Sequence, residues 1–300
     1  MTLSIIIVNY NVYELLKNCI KSVNAIVTGI EYEIIVIDNN SPDRDIDSIL
    51  LDFPYVKYLT LENNLGFAKA NNKAAKAASG KYILFLNPDT LITDNFIPYF
   101  IKQLEDNKDA AICAPQLVYS DNSYQSSTGP PMGLFYDFLE AYGLIGVYRS
   151  QASKKYLSEP DCFYKVGWVS AACFLISREM FEYAGGFTEI YFLNYEDIDL
   201  CHKIRGEGFD IFYFPKYKCT HLDHKSFDTN YELLVYSRYS GRLVFLKLYF
   251  GSIKYALSFL IIITGILLKL LVVNFVYSNP ERAARRRGYW RALKMYTGIE

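Results

Sequence analysis

The chain has almost no charge excess: 31 basic residues stand against 32 acidic ones, for a formal net charge of −1. That balance argues against a nucleic-acid partner. Its six cysteines, Cys19, Cys113, Cys162, Cys173, Cys201 and Cys219, show no C-x-x-C spacing, and most sit in apolar or helical runs. They read as buried thiols in a reducing compartment, with no zinc site. No internal repeat or low-complexity tract appears. The G-x-G-x-x-G and P-loop patterns are also missing, which disfavours dinucleotide oxidoreductases and P-loop kinases. No basic region and cleavage site open the sequence, which begins directly with a strand-like run, so a secretory signal is not expected and a cytosolic location is.

What is present is a chain of 300 residues, 51% of them apolar, enough to bury a sizeable core. Through about residue 118, β-branched runs alternate with helical patterns. Residues 3–8, 33–37, 56–61, 82–86 and 111–118 read as strands, and helical spacing begins near Val12, Ile46, Gly66 and Asp94. This alternation predicts an α/β fold with a mainly parallel sheet. The strands are nearly continuous in apolar residues, so helices should cover both faces. Residues 119–164 lose the rhythm, with Ser126-Ser-Thr-Gly-Pro-Pro131 and many Tyr and Ser, and read as a long irregular insertion. A strand-like run over 166–177, a helix over 196–207 and a strand over 210–214 follow, and from Tyr231 the chain is helical and increasingly apolar.

Polar residues collect at strand ends. Asp89 follows the apolar run Tyr82-Ile-Leu-Phe-Leu-Asn-Pro-Asp-Thr90. Pro88 stops the ladder, so Asn87 and Asp89 should project from the carboxyl edge of the sheet, where open α/β folds place ligands. The structural alternative is that Asp89 only caps a helix. Val8-Asn-Tyr-Asn11 ends the first strand, with Tyr10 able to stack on a base. Val36-Ile-Asp-Asn-Asn-Ser41 ends the next, and Asp38 there could accept hydrogen bonds from a base or ribose, or simply belong to an Asn-rich turn. In Glu62-Asn-Asn-Leu-Gly-Phe-Ala-Lys-Ala-Asn-Asn72, Gly66 opens a helix and would allow close backbone approach to a ligand. Tyr195-Glu-Asp-Ile-Asp-Leu-Cys-His202 sets acids at a helix start, which suits the macrodipole. The bulky residues before it would shield Glu196 and Asp197 and raise their basicity. His221, after the strand at Asp210, could complete an oxygen-and-imidazole metal site with Asp89, or simply pack or sit exposed as a lone histidine more often does.

Taken together, these segments resemble family 2 glycosyltransferases, in their rhamnosyltransferase-like branch, over residues 2–230. The resemblance is carried by Ser4-Ile-Ile-Ile-Val-Asn-Tyr-Asn11, Asp38-Asn-Asn-Ser41, Asn63-Asn-Leu-Gly-Phe67, Leu86-Asn-Pro-Asp-Thr90, Gly185-Gly-Phe187, Glu196-Asp-Ile-Asp-Leu200 and His221. Where many relatives have Asp-x-Asp, this chain has Asn87. Where they often read Ser-Gly-Ala and Phe-Asp-Glu, it has Ser170-Ala-Ala172 and Phe187-Thr-Glu189. No Gln-x-x-Arg-Trp motif follows the acidic pair, so processive synthesis is not expected.

The resemblance implies a GT-A fold: a Rossmann-like nucleotide-binding sheet, here followed by a hydrophobic helical tail. It also implies an inverting transfer from a nucleotide-diphosphate sugar, dTDP-rhamnose first and UDP-hexoses next, to a glycan or lipid-linked glycan in cell-surface polysaccharide assembly. Mg²⁺ or Mn²⁺ would be held by Asp89 and His221. Val8, Tyr10, Asp38, Asn64, Gly66, Asn72, Asn87 and Asp89 would bind the donor. Asp197 is the expected general base, with Glu196 the alternate, and Trp168 either lies under an acceptor sugar or packs in the core. Residues 1–118 would form the donor half and 119–230 the acceptor half of a catalytic domain, followed by a tail over 231–300. Two other readings are a sugar nucleotidyltransferase and a non-catalytic sugar-binding or assembly protein.

The tail carries a long apolar run over 255–277, interrupted by Lys269 and Asn274. Beyond it, residues 281–294 hold Arg282, Arg285, Arg286, Arg287, Arg291 and Lys294 against only Glu281. One crossing from a cytosolic domain would put the arginines outside, against the positive-inside rule. An interfacial or re-entrant hairpin on the cytoplasmic face of the plasma membrane is expected instead, with the arginines on anionic headgroups. The alternatives are a helix packed on the enzyme or in a homo-oligomer.

Overall fold

The computed structural model describes residues 1–42, 46–192, 194–222, 231–276 and 279–298. The strands are β1 (Leu3–Asn9), β2 (Tyr32–Asp38), β3 (Lys57–Thr60), β4 (Tyr82–Leu86), β5 (Thr90–Ile92), β6 (Ala110–Val118), β7 (Thr128–Gly129), β8 (Tyr164–Val166), β9 (Trp168–Val169), β10 (Cys173–Ser177) and β11 (Asp210–His221). The helices are α1 (Tyr13–Ile26), α2 (Ile46–Asp52), α3 (Phe67–Lys76), α4 (Ile97–Asp106), α5 (Leu134–Ala141), α6 (Ile145–Ser158), α7 (Arg178–Tyr183), α8 (Glu196–Gly206), α9 (Tyr231–Tyr249), α10 (Ser252–Val276) and α11 (Asn279–Thr297). They fall into two compact units, one of residues 1–129, 153–192 and 196–226, the other of 130–152, 193–195 and 227–300.

The first unit is built on a nine-stranded sheet in the order β3-β2-β1-β4-β10-β6-β11-β5, with β8 also paired to β11. Strands β3, β2, β1, β4, β6 and β11 share one direction, and β10, β5 and β8 run against it. The sheet is therefore mostly parallel. Both faces are covered, as the unbroken apolar strands require. On one face Phe85 packs with Phe174, Phe181 of α7 and Phe187. On the other, Ile5 and Leu84 join Leu16 of α1 and Phe100 of α4.

Three sequence expectations need correction. Residues 119–164 are not one irregular insertion, since α5 and α6 form within them. The run over 166–177 is broken, because the N–H of Gly167 goes to Gly129 O, that of Ser170 to Ser127 O and that of Ala171 to the Asp197 carboxylate. Strand β11 does not stop at Phe214. A register shift between Phe214 and Lys218, spanning Pro215, lets it continue to His221.

In the second unit, α9, α10 and α11 bury Val235, Leu243, Leu246, Ile262, Ile266, Val273, Tyr289, Ala292 and Tyr296. Two glycines allow close approach. A Cβ on Gly265 would meet Ala141 at 2.5 Å, and one on Gly288 would meet Val235 at 2.8 Å. Helix α10 is long and apolar enough to cross a membrane by length and composition, with mean hydropathy 2.7. The interrupting Lys269 is turned inward, its Nζ donating to Glu140 O at 2.6 Å and Tyr239 Oη at 3.2 Å. Ser258, also on α10, donates to Asp137, which receives a bidentate pair of 2.6 Å bonds from Arg242.

Candidate active site

The chain reverses sharply at Asn87-Pro-Asp89. Asn87 N–H closes on Ala172 O at 2.9 Å, and Thr90 Oγ1 donates to Asn87 O at 2.6 Å. The short β5 that follows pairs antiparallel with the end of β11, Thr90 opposite His221. Leu222 N–H then reaches Asp89 O at 2.9 Å. This register sets Asp89 Oδ1 3.2 Å from His221 Nε2, with both side chains largely buried. Nδ1 of the same imidazole lies 2.9 Å from Gln125 Oε1, and Asn87 Nδ2 lies 3.5 Å from Nε2. Asn87 Oδ1 is buried and has no partner among the described residues.

A carboxylate, an imidazole nitrogen and an unpartnered amide oxygen at one strand end are a donor set that suits Mg²⁺ or Mn²⁺. Among the described residues no group of three or more His, Cys, Asp and Glu side chains could hold a metal. The remaining ligands would be phosphate oxygens and water, as hard divalent cations commonly take them. The residues that follow in the run Thr220-His-Leu-Asp-His-Lys-Ser226, from Asp223 on, lie outside the described residues.

Asp38 is the hub where β1 and β2 end. Its Oδ2 accepts from Asn9 Nδ2 at 2.7 Å, Ser41 Oγ at 2.7 Å and Tyr13 Oη at 3.1 Å, and its Oδ1 accepts from Ser41 N–H at 2.8 Å. Three of its four hydrogen bonds thus converge on Oδ2, leaving acceptor capacity on Oδ1. Asn39 links this hub to the next loop, donating to Asn64 Oδ1 at 2.9 Å and accepting from Leu65 N–H at 2.8 Å. Tyr10 is exposed, whereas Val8 is buried.

Three of the expected residues make close contacts inside the protein. Gly66 has φ +82°, and a Cβ there would lie 2.5 Å from Phe192 O, so its missing side chain admits the protein's own carbonyl rather than a ligand. The amide of Asn72 clamps Phe187, accepting from its N–H at 2.9 Å and donating to its carbonyl at 2.8 Å, and also donates to Glu189. Trp168 is buried, its indole so close over Gly129 that a Cβ there would lie 2.5 Å from Nε1. The ring is thus covered by the protein's own backbone.

Helix α8 opens with Glu196 and Asp197. Glu196 is 5% exposed, and its Oε2 has no partner among the described residues. Burial holds its carboxyl well above the usual carboxylate range, and the charge of Asp197 adds to the effect. Asp197 keeps partial exposure. Burial raises it too, opposed by N–H groups of Ala171, at 3.1 Å to Oδ2, and Ile198, at 2.8 Å to Oδ1. The pair therefore favours one proton retained beside one carboxylate. Asp199, fully buried, is a structural anchor that sequence reasoning missed. It accepts from Thr188 Oγ1 and Tyr191 Oη and pairs with Lys203. Gln125, also missed, belongs to no motif.

Comparison with known proteins bears on the family and the fold. The model of glycosyl transferase family 2 matches residues 4–184. A low-salt glycan biosynthesis hexosyltransferase of Haloferax volcanii is 25% identical over 213 residues, 70% of this chain and 63% of that protein. The chain thus spans under two thirds of that relative's length. The rhamnosyltransferase WbbL of Escherichia coli is 26% identical over 211 residues, 67% of this chain and 75% of that one. In fold, the chain is similar to a mannosyltransferase of Pyrobaculum calidifontis solved in complex with GDP-Man and Mn²⁺. The TM-score is 0.58 at 15% identity, over 98% of this chain and 84% of that one.

Proposed function

The chain belongs to glycosyl transferase family 2 and has the GT-A fold, and we propose that it transfers a sugar, with inversion, from a nucleotide-diphosphate donor to a hydroxyl of a glycan or lipid-linked glycan acceptor. The observation that carries this reading is the 3.2 Å approach of Asp89 Oδ1 to His221 Nε2 at the end of the sheet. dTDP-rhamnose is the favoured donor and a UDP-hexose the next, in line with the rhamnosyltransferase and hexosyltransferase names of the relatives.

Asp89 and His221, with Asn87 beside them, would hold Mg²⁺ or Mn²⁺, which as a Lewis acid offsets charge on a departing diphosphate. Tyr10 offers an exposed ring to the base, Asp38 Oδ1 an acceptor to its N–H or to a ribose hydroxyl, and Asn64 a polar group on the neighbouring loop. Asp197 takes the acceptor hydroxyl proton as that oxygen bonds to the anomeric carbon and the bond to the diphosphate breaks. Its orientation is fixed by the Ala171 and Ile198 N–H groups. Glu196 keeps its proton and so leaves Asp197 the single charge of the pair.

The tail supports a membrane-surface setting on the cytoplasmic face. Ile253, Leu257, Leu260, Leu267, Leu271 and Phe275 lie exposed along one side of α10, while Ser258, Ile262, Gly265, Ile266 and Val273 are buried on the other. Exposed Trp290 on α11 shares a concave surface with Arg286, Arg287, Arg291 and Lys294, and with Glu232, whose carboxylate pairs with Arg287 and Arg291. An apolar face and a basic, Trp-bearing face suit an interface of anionic lipid. Co-sedimentation with phosphatidylglycerol vesicles but not with neutral ones is expected; a soluble homo-oligomer that ignores both would contradict it.

The reading is tested by incubating purified protein with UDP-, dTDP- and GDP-sugars, with and without Mn²⁺. Metal-dependent release of one nucleoside diphosphate is expected. Release of pyrophosphate from a sugar phosphate and a nucleoside triphosphate would favour a nucleotidyltransferase instead.

A further inference from the structure

We propose that Gln125 is a positioning residue that fixes His221 as the Nδ1–H tautomer and so turns the Nε2 lone pair toward Asp89. The proposal rests on the metal reading of the Asp89–His221 pair, and its test separates the two.

The placement follows from the chain path. After β6 a turn closes with Asn122 N–H on Tyr119 O at 2.9 Å and Tyr119 N–H on Ser123 O at 2.9 Å. Asn122 takes the left-handed conformation at φ +63°, and Ser123 N–H is held by Asp121 Oδ1. The chain folds back on the end of β6, where Val118 bridges to Tyr124 and Gln125 N–H donates to Leu117 O at 3.0 Å. Strand β11 lies parallel to β6, with Thr220 opposite Val118. The turn therefore delivers the Gln125 side chain to the residue after Thr220.

Gln125 is 4% exposed, so its amide cannot exchange this partner for water at no cost. Its Oε1 lies 2.9 Å from His221 Nδ1, and an amide oxygen only accepts, so the contact is a hydrogen bond when Nδ1 carries the proton, as it does once Nε2 ligates a metal; Gln125 Nε2 is buried without a partner among the described residues. Asn87 Nδ2, 3.5 Å from Nε2, is a donor and points to the same tautomer. In that tautomer the Nε2 lone pair faces Asp89 Oδ1 at 3.2 Å. Two electron-rich atoms held this close are stabilised by a cation between them. A histidine that donates one ring N–H to an acceptor while ligating through the other nitrogen is a general device for orienting a metal ligand. Loss of such a partner costs about 10–100-fold in metal affinity.

The test uses the full-length protein labelled with ¹⁵N-histidine and saturated with diamagnetic Mg²⁺. Long-range ¹H–¹⁵N spectra should show His221 as the Nδ1–H tautomer in the wild type and as a mixture or Nε2–H in Gln125→Leu. Free Mn²⁺ measured by electron paramagnetic resonance should give about 10–100-fold weaker binding in Gln125→Leu and near wild-type binding in Gln125→Glu, which restores the acceptor. A wild-type ring in the Nε2–H form overturns the proposal without any variant. Unchanged Mn²⁺ affinity in Gln125→Leu overturns it while the metal reading stands. Equal Mn²⁺ binding by wild type and Asp89→Ala defeats the metal reading itself, and the spectra then decide the role of Gln125 alone.

Discussion

Thr90 and His221 are register partners across β5 and β11, and that pairing brings the Asp89 carboxylate within 3.2 Å of the His221 imidazole. Either side chain alone is an ordinary polar residue at a strand end. Asp89→Ala and His221→Ala should each lower Mn²⁺-dependent donor turnover by about 10²-fold or more, since Lewis-acid stabilisation is worth several kcal/mol and each 1.4 kcal/mol is tenfold. Steady-state rates at saturating Mn²⁺ measure this, and a variant within threefold of wild type would remove its residue from the site.

Gly66 joins a positive φ of +82° to a close approach, with Phe192 O 2.5 Å from where a Cβ would sit. Gly66→Ala should destabilise the protein by about 1–3 kcal/mol, the usual cost of a residue forced into a sparsely populated conformation. Urea denaturation reads the loss. An unchanged midpoint would mean that the loop adapts freely.

Most of the first unit was legible because its signals are local. Apolar runs bounded by Asn, Asp and Gly marked the strands, and residues 82–86 coincide with β4. What stayed hidden depends on partners distant in sequence. Nothing local says that the Asn72 amide closes on Phe187, that Trp168 lies over Gly129, or that the Tyr119–Ser123 turn hands Gln125 to His221. Helices α5 and α6 were missed because the Ser- and Pro-rich stretch before them and their mixed aromatic and polar faces obscured the helical period.

Glu196 makes stability fall as pH rises. Its folded pKa is raised, so above the ordinary glutamate value, about 4.3, the native state holds a proton that the unfolded state has released. The contribution is therefore full below that value and is lost as pH climbs toward the raised one. Glu196→Gln, which cannot ionise, should flatten this slope and raise the Tm at pH 8 relative to wild type. Thermal melts between pH 5 and 8 check it, and parallel slopes in the two proteins would contradict it.

In the second unit, Arg242 holds Asp137 by two 2.6 Å bonds, both residues being under 4% exposed. Removing one partner of a buried pair leaves the other charge without compensation, which typically costs about 3–5 kcal/mol. Arg242→Met should show that loss in denaturation followed through Trp290, and Asp137→Asn combined with it should recover part. A loss below 1 kcal/mol would mean that the pair is solvated.

The central claim is that Asp197 removes the acceptor proton at a site that binds the donor independently of it. The direct measurement compares Asp197→Asn with wild type for donor binding by calorimetry and for transfer to acceptor at saturating donor and metal. Donor affinity should stay within about twofold, while transfer falls by about 10²- to 10⁴-fold, the usual worth of general-base catalysis. Transfer at the wild-type rate in Asp197→Asn would contradict the account.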